Sequence, residues 1–253
     1  MNFALAVLAI CEAGFVANSG VVRSTLPIPA GIVVPVQLER GFAVKEASRG
    51  MPLEGRVMQD VPLPDRGKIA MRSRVKGSIV ETRKDSDRKG TSVTLRFDQL
   101  EDRKQLLSMT TSLRAIASYS QVTAAQTPFT NADSGSPAGW ATTVQIGGDA
   151  RYGDGDAVRN PAHQVVGKAV RGGVLVHVGA NLRAGCEGPL DGDDHLQALW
   201  VFSTDACGVY GLKGLQITHN GKSEPVGEIT LHFDKDDMKL EAGTGMLLRV
   251  RSR

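Results

Sequence analysis

Two short stretches of the sequence concentrate aspartates and glycines, the residue types that bind hard metal ions through oxygen atoms. One lies within residues 147–161 and the other surrounds Gly192. Carboxylate oxygens on a tightly turning backbone are typical of calcium sites. Neither stretch has the DxDxDG spacing or the bidentate glutamate of a calcium loop, so solvated turns fit both better. We expect no cofactor, and calcium is the one ion to consider, with these candidate ligands: Asp149, Asp154, Asp156, Asp191, Asp193 and Asp194.

A serine segment suggests nucleophilic catalysis at first sight. Residues 132–137 read Ala-Asp-Ser-Gly-Ser-Pro and resemble the nucleophile loop of chymotrypsin-like proteases. That fold places its histidine and aspartate before the serine, whereas all five histidines follow Ser134 in this chain. The segment therefore favours a Gly/Ser/Pro-rich loop, and the sequence assigns no catalytic residue.

The histidines show no pair at a metal-binding spacing. They are His163, His177, His195, His219 and His232. His177 and His232 fall on the expected polar faces of their strands and His219 stands beside a turn, so we expect all three at the surface. The absence of a coherent catalytic set favours a non-enzymatic protein. A hydrolase whose site is assembled from distant strands stays open as an alternative.

The N-terminal residues predict export. Residues 3–16 form an apolar run that is interrupted by Glu12 and Gly14 and is too short to span a bilayer. Small residues at 17–19 then supply a cleavage site. We assign residues 1–19 to a signal peptide with a helical core and expect a periplasmic or extracellular protein. Lipoprotein anchoring through Cys11 is a lesser alternative, because Ile10 is large for the position before the cysteine.

Cysteine usage follows from export. Cys11 leaves with the signal peptide, so Cys186 and Cys207 remain in an oxidising compartment. An even number of cysteines there predicts one disulfide, worth about 3 kcal/mol on the chain-entropy model. No later segment approaches 18 uninterrupted apolar residues, so we expect no transmembrane helix in the mature chain.

Short β-branched stretches separated by turn residues dominate the chain. This pattern predicts an all-β fold, an antiparallel sandwich or barrel, and leaves open two packed β modules. Residues 28–38 contain prolines that confine the stretch to a sheet edge or to strand ends. Residues 106–119 are ambiguous, because their Ser/Thr content favours a strand while residues 112–125 could form a helix. The other expected strands are residues 75–82, 91–97, 173–178, 198–202, 214–219, 228–233 and 246–250.

Turn-rich composition between residues 127 and 161 divides the chain. We expect an N-terminal β domain at residues 24–126, a loop-rich connector at 127–161 and a C-terminal β domain at 162–253. The sequence leaves open whether the two halves are separate domains or one interwoven fold.

Charge and aromatic residues restrict the partners. The formal net charge is only +3, and twelve Lys/Arg against six Asp/Glu between Arg66 and Lys104 fit a solvated sheet face. Phe97 is the only aromatic residue in that interval, so base stacking is poorly supported and nucleic acid is not expected. Trp140 and Trp200 could form a sugar platform, although Trp200 lies in an apolar run and is expected in the core.

Several motifs resemble known families. Ile-Pro-Ala-Gly at residues 28–31, Gly-Arg-Val-Met-Gln-Asp-Val at 55–61 and Leu-Arg-Phe at 95–97 resemble the TrbI-like β-barrel domain of type IV secretion core complexes. Segments at residues 140–148, 199–203 and 205–211 resemble uncharacterised secreted β proteins of soil bacteria. These resemblances imply export and a β fold. The sequence therefore predicts an exported, non-enzymatic protein with a structural or interaction role in the cell envelope. Its expected partner is an envelope protein or a glycan, and a carbohydrate- or surface-binding module is a further alternative.

Overall fold

The computed structural model describes residues 28–65, 67–86, 89–103, 105–126, 145–148, 151–152, 157–159, 163–178 and 195–252. The strands in these ranges are β1 (Val33–Leu38), β2 (Phe42–Ala43), β3 (Pro52–Val57), β4 (Val61–Pro62), β5 (Lys68–Ile69), β6 (Arg74–Lys84), β7 (Thr91–Asp102), β8 (Gln105–Ser108), β9 (Thr111–Ala117), β10 (Arg151–Tyr152), β11 (Ala157–Arg159), β12 (Val165–Val170), β13 (Gly173–Val176), β14 (Gln197–Ala198), β15 (Gly208–Tyr210), β16 (Leu215–Asn220), β17 (Ile229–Phe233), β18 (Lys239–Leu240) and β19 (Gly245–Val250). A 3-10 turn spans Val44–Glu46, and one α-helix, α1, spans Tyr119–Gln126. No helix in the described ranges is long and apolar enough to cross a membrane.

Ten strands form one large sheet. Their order is β15-β9-β19-β1-β3-β6-β7-β17-β16, with β8 paired to β7. Its ladders are antiparallel except for the parallel pair of β15 and β9. No ladder between described strands joins β15 to β16, so the sheet does not close into a barrel. The predicted all-β, antiparallel fold is confirmed, whereas the expected signal helix at residues 1–19 lies outside the described residues.

Strands from both halves of the chain share this sheet. β16, β17 and β19 follow residue 161 in sequence, yet β19 lies between β9 and β1, and β17 pairs with β7. A second sheet of five short antiparallel strands has the order β10-β11-β12-β13-β14. The residues on either side of the expected connector therefore form one interwoven large sheet.

Two hydrophobic cores lie on opposite faces of the large sheet. Successive residues of a strand point to opposite faces, and Val33 belongs to one core while Val34 belongs to the other. Leu247 and Leu248 divide in the same way. The second core also contains side chains of α1 and of the five-stranded sheet. Strands β1, β9 and β19 are consequently covered on both faces.

Two buried glutamines connect the five-stranded side of the molecule to the large sheet. Gln59 accepts the backbone N–H of Trp200 through Oε1 at 2.8 Å and donates from Nε2 to the carbonyl of Val174 at 2.8 Å. Gln197 accepts the N–H of Val33 through Oε1 at 2.9 Å. The bonds to the N–H groups of Trp200 and Val33 satisfy buried donors, which are costly when left without a partner. The bond to the carbonyl of Val174 adds to the one that this carbonyl accepts from the N–H of Leu199 at 3.2 Å.

Arg114 fixes a turn against the large sheet from within the protein. Its guanidinium is buried and donates to the carbonyls of Thr204 at 2.6 Å and Ala206 at 2.7 Å. Burial, and then the positive charge of Arg249, lower the pKa of Arg114 to about 10. The group therefore stays protonated at neutral pH and holds the 204–206 backbone by charge-assisted hydrogen bonds.

The prolines of residues 28–38 do not confine this segment to an edge. β1 pairs with β19 on one side and with β3 on the other, so the edge prediction is wrong. Pro35 is tolerated because the β3 ladder begins at the next residue, with Val36 opposite Val57. The carbonyl of Pro35 accepts Met58 N–H at 3.0 Å, and the missing N–H falls beyond the ladder.

Candidate functional site

The strands β6, β7, β17 and β16 carry a polar outer face. Val93, Leu95 and Phe97 of β7 are fully buried, as the alternation predicts, and the residues between them point to the other side. β17 repeats the pattern with buried Ile229 and Leu231. We call this outer face the polar platform and define it by Glu81, Arg83, Ser92, Thr94, His219, Glu228, Thr230 and His232.

The register between the strands arranges the side chains of the polar platform in rows that run across the strands. Thr94 lies opposite Glu81 on one side and opposite Thr230 on the other. The Oγ1 atoms of Thr94 and Thr230 are 2.9 Å apart and share a hydrogen bond. A neighbouring row places Ser92 opposite Arg83 and His232. The fold thus assembles hydroxyl, carboxylate and imidazole groups from strands that are distant in sequence.

His232 is the centre of a short polar network. Its Nδ1 is 2.7 Å from Oδ2 of Asp85, and Ser92 Oγ donates to the same Oδ2 at 2.7 Å. Its Nε2 faces Oδ1 of Asp234 at 3.6 Å. Only 3% of the His232 side chain is exposed, so the predicted surface position is wrong. Its strand does present it outward, but Asp85 and Ser92 cover it there.

This geometry restricts the chemistry of Ser92. In a nucleophilic triad the hydroxyl and the carboxylate bond to different nitrogens of the imidazole. Here Ser92 Oγ is 3.4 Å from Nδ1, the nitrogen that already contacts Asp85, while Nε2 faces Asp234. The network therefore joins the base of the β6–β7 hairpin to β17.

Asp85 is held in its charged form. The hydroxyl of Ser92 lowers the pKa of Asp85 most, burial opposes that change, and His232 and Arg83 lower the pKa further. A carboxylate with a lower pKa in the folded than in the unfolded protein stabilises the fold fully above its unfolded pKa of about 3.9. That stabilisation is lost as the pH falls through the lower folded value.

Replacing Asp85 with asparagine is expected to lower the free energy of unfolding at pH 7 by about 1 kcal/mol, because two hydrogen bonds to a carboxylate are weakened. Urea denaturation at several pH values should show the difference from the unmodified protein shrinking below about pH 4. Asp237→Asn is the matched control, since Asp237 is exposed. An equal loss at pH 7 and at pH 3 would contradict the assignment.

A cleft of about 230 Å³ opens on the polar platform. Thr94 and Thr230 lie on its floor, and Glu228 beside it forms an ion pair with Arg96. His219 closes one side, where its Nδ1 is 2.6 Å from the carbonyl of Glu228 and its Nε2 is 3.2 Å from that of Glu224. These two contacts of His219 stabilise the turn that follows β16. The cleft offers hydroxyls and paired charges to a polar partner.

Several predicted site residues lie outside the described residues. These are Cys186, Trp140 and Ser134 and the six calcium candidates Asp149, Asp154, Asp156, Asp191, Asp193 and Asp194. Among the described residues, no three His, Cys, Asp or Glu side chains are grouped as a metal site. His163, His177 and His195 are exposed. Trp200 is buried, as predicted.

Two of the sequence motifs meet in space. Ile146 forms a parallel bridge with Phe202, which places the Gly147–Gly148 turn against residues 203–210. A Cβ atom on Gly148 would lie 2.4 Å from Ser203 Oγ, so a larger residue would not fit there. Tyr210 accepts the N–H of Cys207 and donates to its carbonyl, both at 2.8 Å.

The Asp85–Ser92–His232 network was not predicted from the sequence. Ser92 and His232 are 140 positions apart, and no spacing along the chain relates them. A usable signal was that each occupies an outward position of a strand whose inward positions alternate as apolar residues. Comparison with family models, with curated proteins and with solved structures gave no match to this chain.

Proposed function

We propose that this protein is exported and serves a non-enzymatic, structural or interaction role in the cell envelope. The observation that carries the non-enzymatic part of the proposal is the geometry at His232. Carboxylates face both of its ring nitrogens, and Ser92 donates to Asp85. Such an arrangement stabilises the junction of three strands and leaves no hydroxyl poised on a basic nitrogen.

The polar platform is the surface that would serve an interaction. Its hydroxyls lie in cross-strand rows and Glu228 forms an ion pair with Arg96 of β7. The opposite faces of β7 and β17 are fully buried, so these groups are held on a rigid support. Hydroxyls and paired charges of this kind match the polar groups of an envelope protein or a glycan. The envelope setting of the proposal rests on the apolar leader and on the resemblance to TrbI-like barrel domains.

Export is tested by the mature protein itself. We expect mass spectrometry of protein recovered from its native host to show an N-terminus near Gly20, because residues 17–19 supply a cleavage site. Unprocessed Met1 on cytoplasmic material would refute export.

We also propose that Cys186 and Cys207 form one disulfide, so thiol titration of the denatured, non-reduced mature protein should find no free thiol.

The hydrolase alternative has its own test. A serine-reactive phosphonate probe reports an activated hydroxyl, and we expect it to leave Ser92 unlabelled. Labelling that disappears in Ser92→Ala but persists in Thr94→Ala would overturn the non-enzymatic proposal. Both substituted residues lie on the same face of β7, so the second variant controls for changes in the surface.

A further inference from the structure

β6 extends past the end of its neighbour β3. The last register pair between them joins Pro52 and Ser78, and the last backbone bonds join Ile79 to Gly50 and Met51. Beyond that point residues 80–84 continue as a strand and pair with β7 on the other side only, within the described part of the chain. We call residues 80–84 the open edge. An unpaired strand edge is a template for another strand.

An open groove runs beside the open edge. It measures about 580 Å³ and lies between Ala47, Ser48 and Arg49 on one wall and Val80, Glu81 and Thr82 on the other. A peptide in extended conformation could enter such a groove and add to the sheet by main-chain hydrogen bonds. The side chains along the edge then decide which strand fits.

We propose that the strand that fits is the open edge of a second copy of this chain. Two copies paired in antiparallel fashion, with a two-fold axis at Thr82, place Glu81 of each copy opposite Arg83 of the other. Opposite charges directly across a ladder stabilise the pairing, and like charges oppose it. A shift of the axis by one residue, to Arg83, would instead set Glu81 opposite Asp85. The charge pattern therefore selects a single register.

The contacts of the edge residues agree with this register. Arg83 is 70% exposed and contacts Asp85 only at 3.6 Å, so its guanidinium is able to turn toward a partner. Lys84, which would lie opposite Val80 of the other copy, has its own counter-ion in Asp236 at 2.9 Å. The pairing thus introduces no uncompensated charge at its ends.

Thr82 supplies the centre of the pairing. Its hydroxyl oxygen is buried and has no hydrogen-bond partner among the described residues. Thr82 lies opposite Val93, whose side chain is buried, so the Thr82 hydroxyl is turned to the inner face and does not reach a second copy. The pairing therefore rests on the main chain of the open edge and on the contacts between Glu81 and Arg83 of the two copies. Self-association of this kind does not depend on where the protein resides. A failure of the pairing proposal therefore leaves the export proposal unaffected, and the reverse also holds.

Cysteine cross-linking tests the register directly. Residues directly opposite each other in an antiparallel pair have Cα atoms about 4.5–5.5 Å apart, within the range of a disulfide. We therefore expect mature Thr82→Cys protein to form a disulfide-linked dimer under mild oxidation on a non-reducing gel. Thr218→Cys, on the exposed edge strand β16, is the matched control. Cross-linking of Thr82→Cys no stronger than that of the control would overturn the proposal.

Charge reversal tests the same pairing without cysteine. Sedimentation of the mature protein over a range of concentrations should show a weak dimer, since so short an interface falls below about 1,000 Å². Glu81→Arg alone or Arg83→Glu alone should raise its dissociation constant about tenfold, and the double reversal should restore it to within about threefold. Circular dichroism checks the fold of each variant. A monomer at every concentration, or a double reversal no better than the single ones, contradicts the two-copy pairing.

Discussion

Replacing Trp200 with alanine is expected to lower the free energy of unfolding by about 3–5 kcal/mol. Trp200 is 1% exposed and stands edge-on to Phe202, with ring centroids 6.4 Å apart. Its ring also approaches Gly245 of β19, where an added Cβ would lie only 3.2 Å from it. Removing the indole therefore leaves a cavity between the second core and the large sheet.

Urea denaturation followed by circular dichroism measures this effect as a lower midpoint at an unchanged slope. Trp200→Phe keeps much of the packing volume and should lose less than half as much. Tyr119→Ala is the control for removal of an exposed aromatic ring, since Tyr119 is 50% exposed. A loss below about 1 kcal/mol for Trp200→Ala would show that Trp200 does not support the packing of the two cores.

The hairpins of the large sheet were predictable because their alternation follows from burial on one face. Val93, Leu95 and Phe97 point inward, and the chain between β6 and β7 is rich in turn residues. The same reasoning located β17, whereas β19 is buried on both faces and was located as a short apolar run. Residues 106–119 were ambiguous, because their Ser/Thr content favours a strand while residues 112–125 could form a helix. In the structure strand β9 ends at Ala117 and helix α1 begins at Tyr119.

Residues 198–202 show where the pattern fails. We expected a strand there, but only Gln197 and Ala198 belong to β14, and the prediction for the remaining residues is wrong. All five residues of this run are buried, so no alternation distinguishes a strand from an irregular buried segment. Trp200 has a φ of 53°, and its backbone is fixed by Gln59 rather than by a neighbouring strand. That partner is 141 positions away in sequence.

The polar platform could be predicted only in part, for a related reason. Alternation places Thr94 and Arg96 outward, and the structure agrees in pointing both away from the inner core. Alternation along one strand does not reveal which strand lies beside β7. The pairing of β17 with β7 brings His232 to Ser92, and the turn after β6 adds Asp85. A site built across strands is therefore a property of sheet order, which local sequence patterns leave open.

Replacing Gln59 with leucine is expected to lower the free energy of unfolding by about 2–5 kcal/mol. Gln59 is fully buried and satisfies the N–H of Trp200 and the carbonyl of Val174. Leucine has a similar volume but no polar atom, so the buried N–H of Trp200 is left without a partner, which costs about 1–3 kcal/mol. The carbonyl of Val174 also loses the shorter of its two hydrogen bonds and keeps the one from the N–H of Leu199 at 3.2 Å. The effect should appear as a lower urea midpoint in circular dichroism.

Two further variants show whether the loss of stability comes from the hydrogen bonds of Gln59 or from replacing any glutamine. Gln216→Leu is the matched control, since Gln216 is exposed on β16 and should change stability by less than about 0.5 kcal/mol. Gln59→Glu keeps an acceptor for Trp200 but loses the donor to Val174, and it introduces a buried charge. It should therefore be destabilising at neutral pH and recover as the carboxyl is protonated at lower pH. If Gln59→Leu were as stable as the unmodified protein, the attachment of the five-stranded sheet would have to come from the Gln197–Val33 hydrogen bond and from apolar packing.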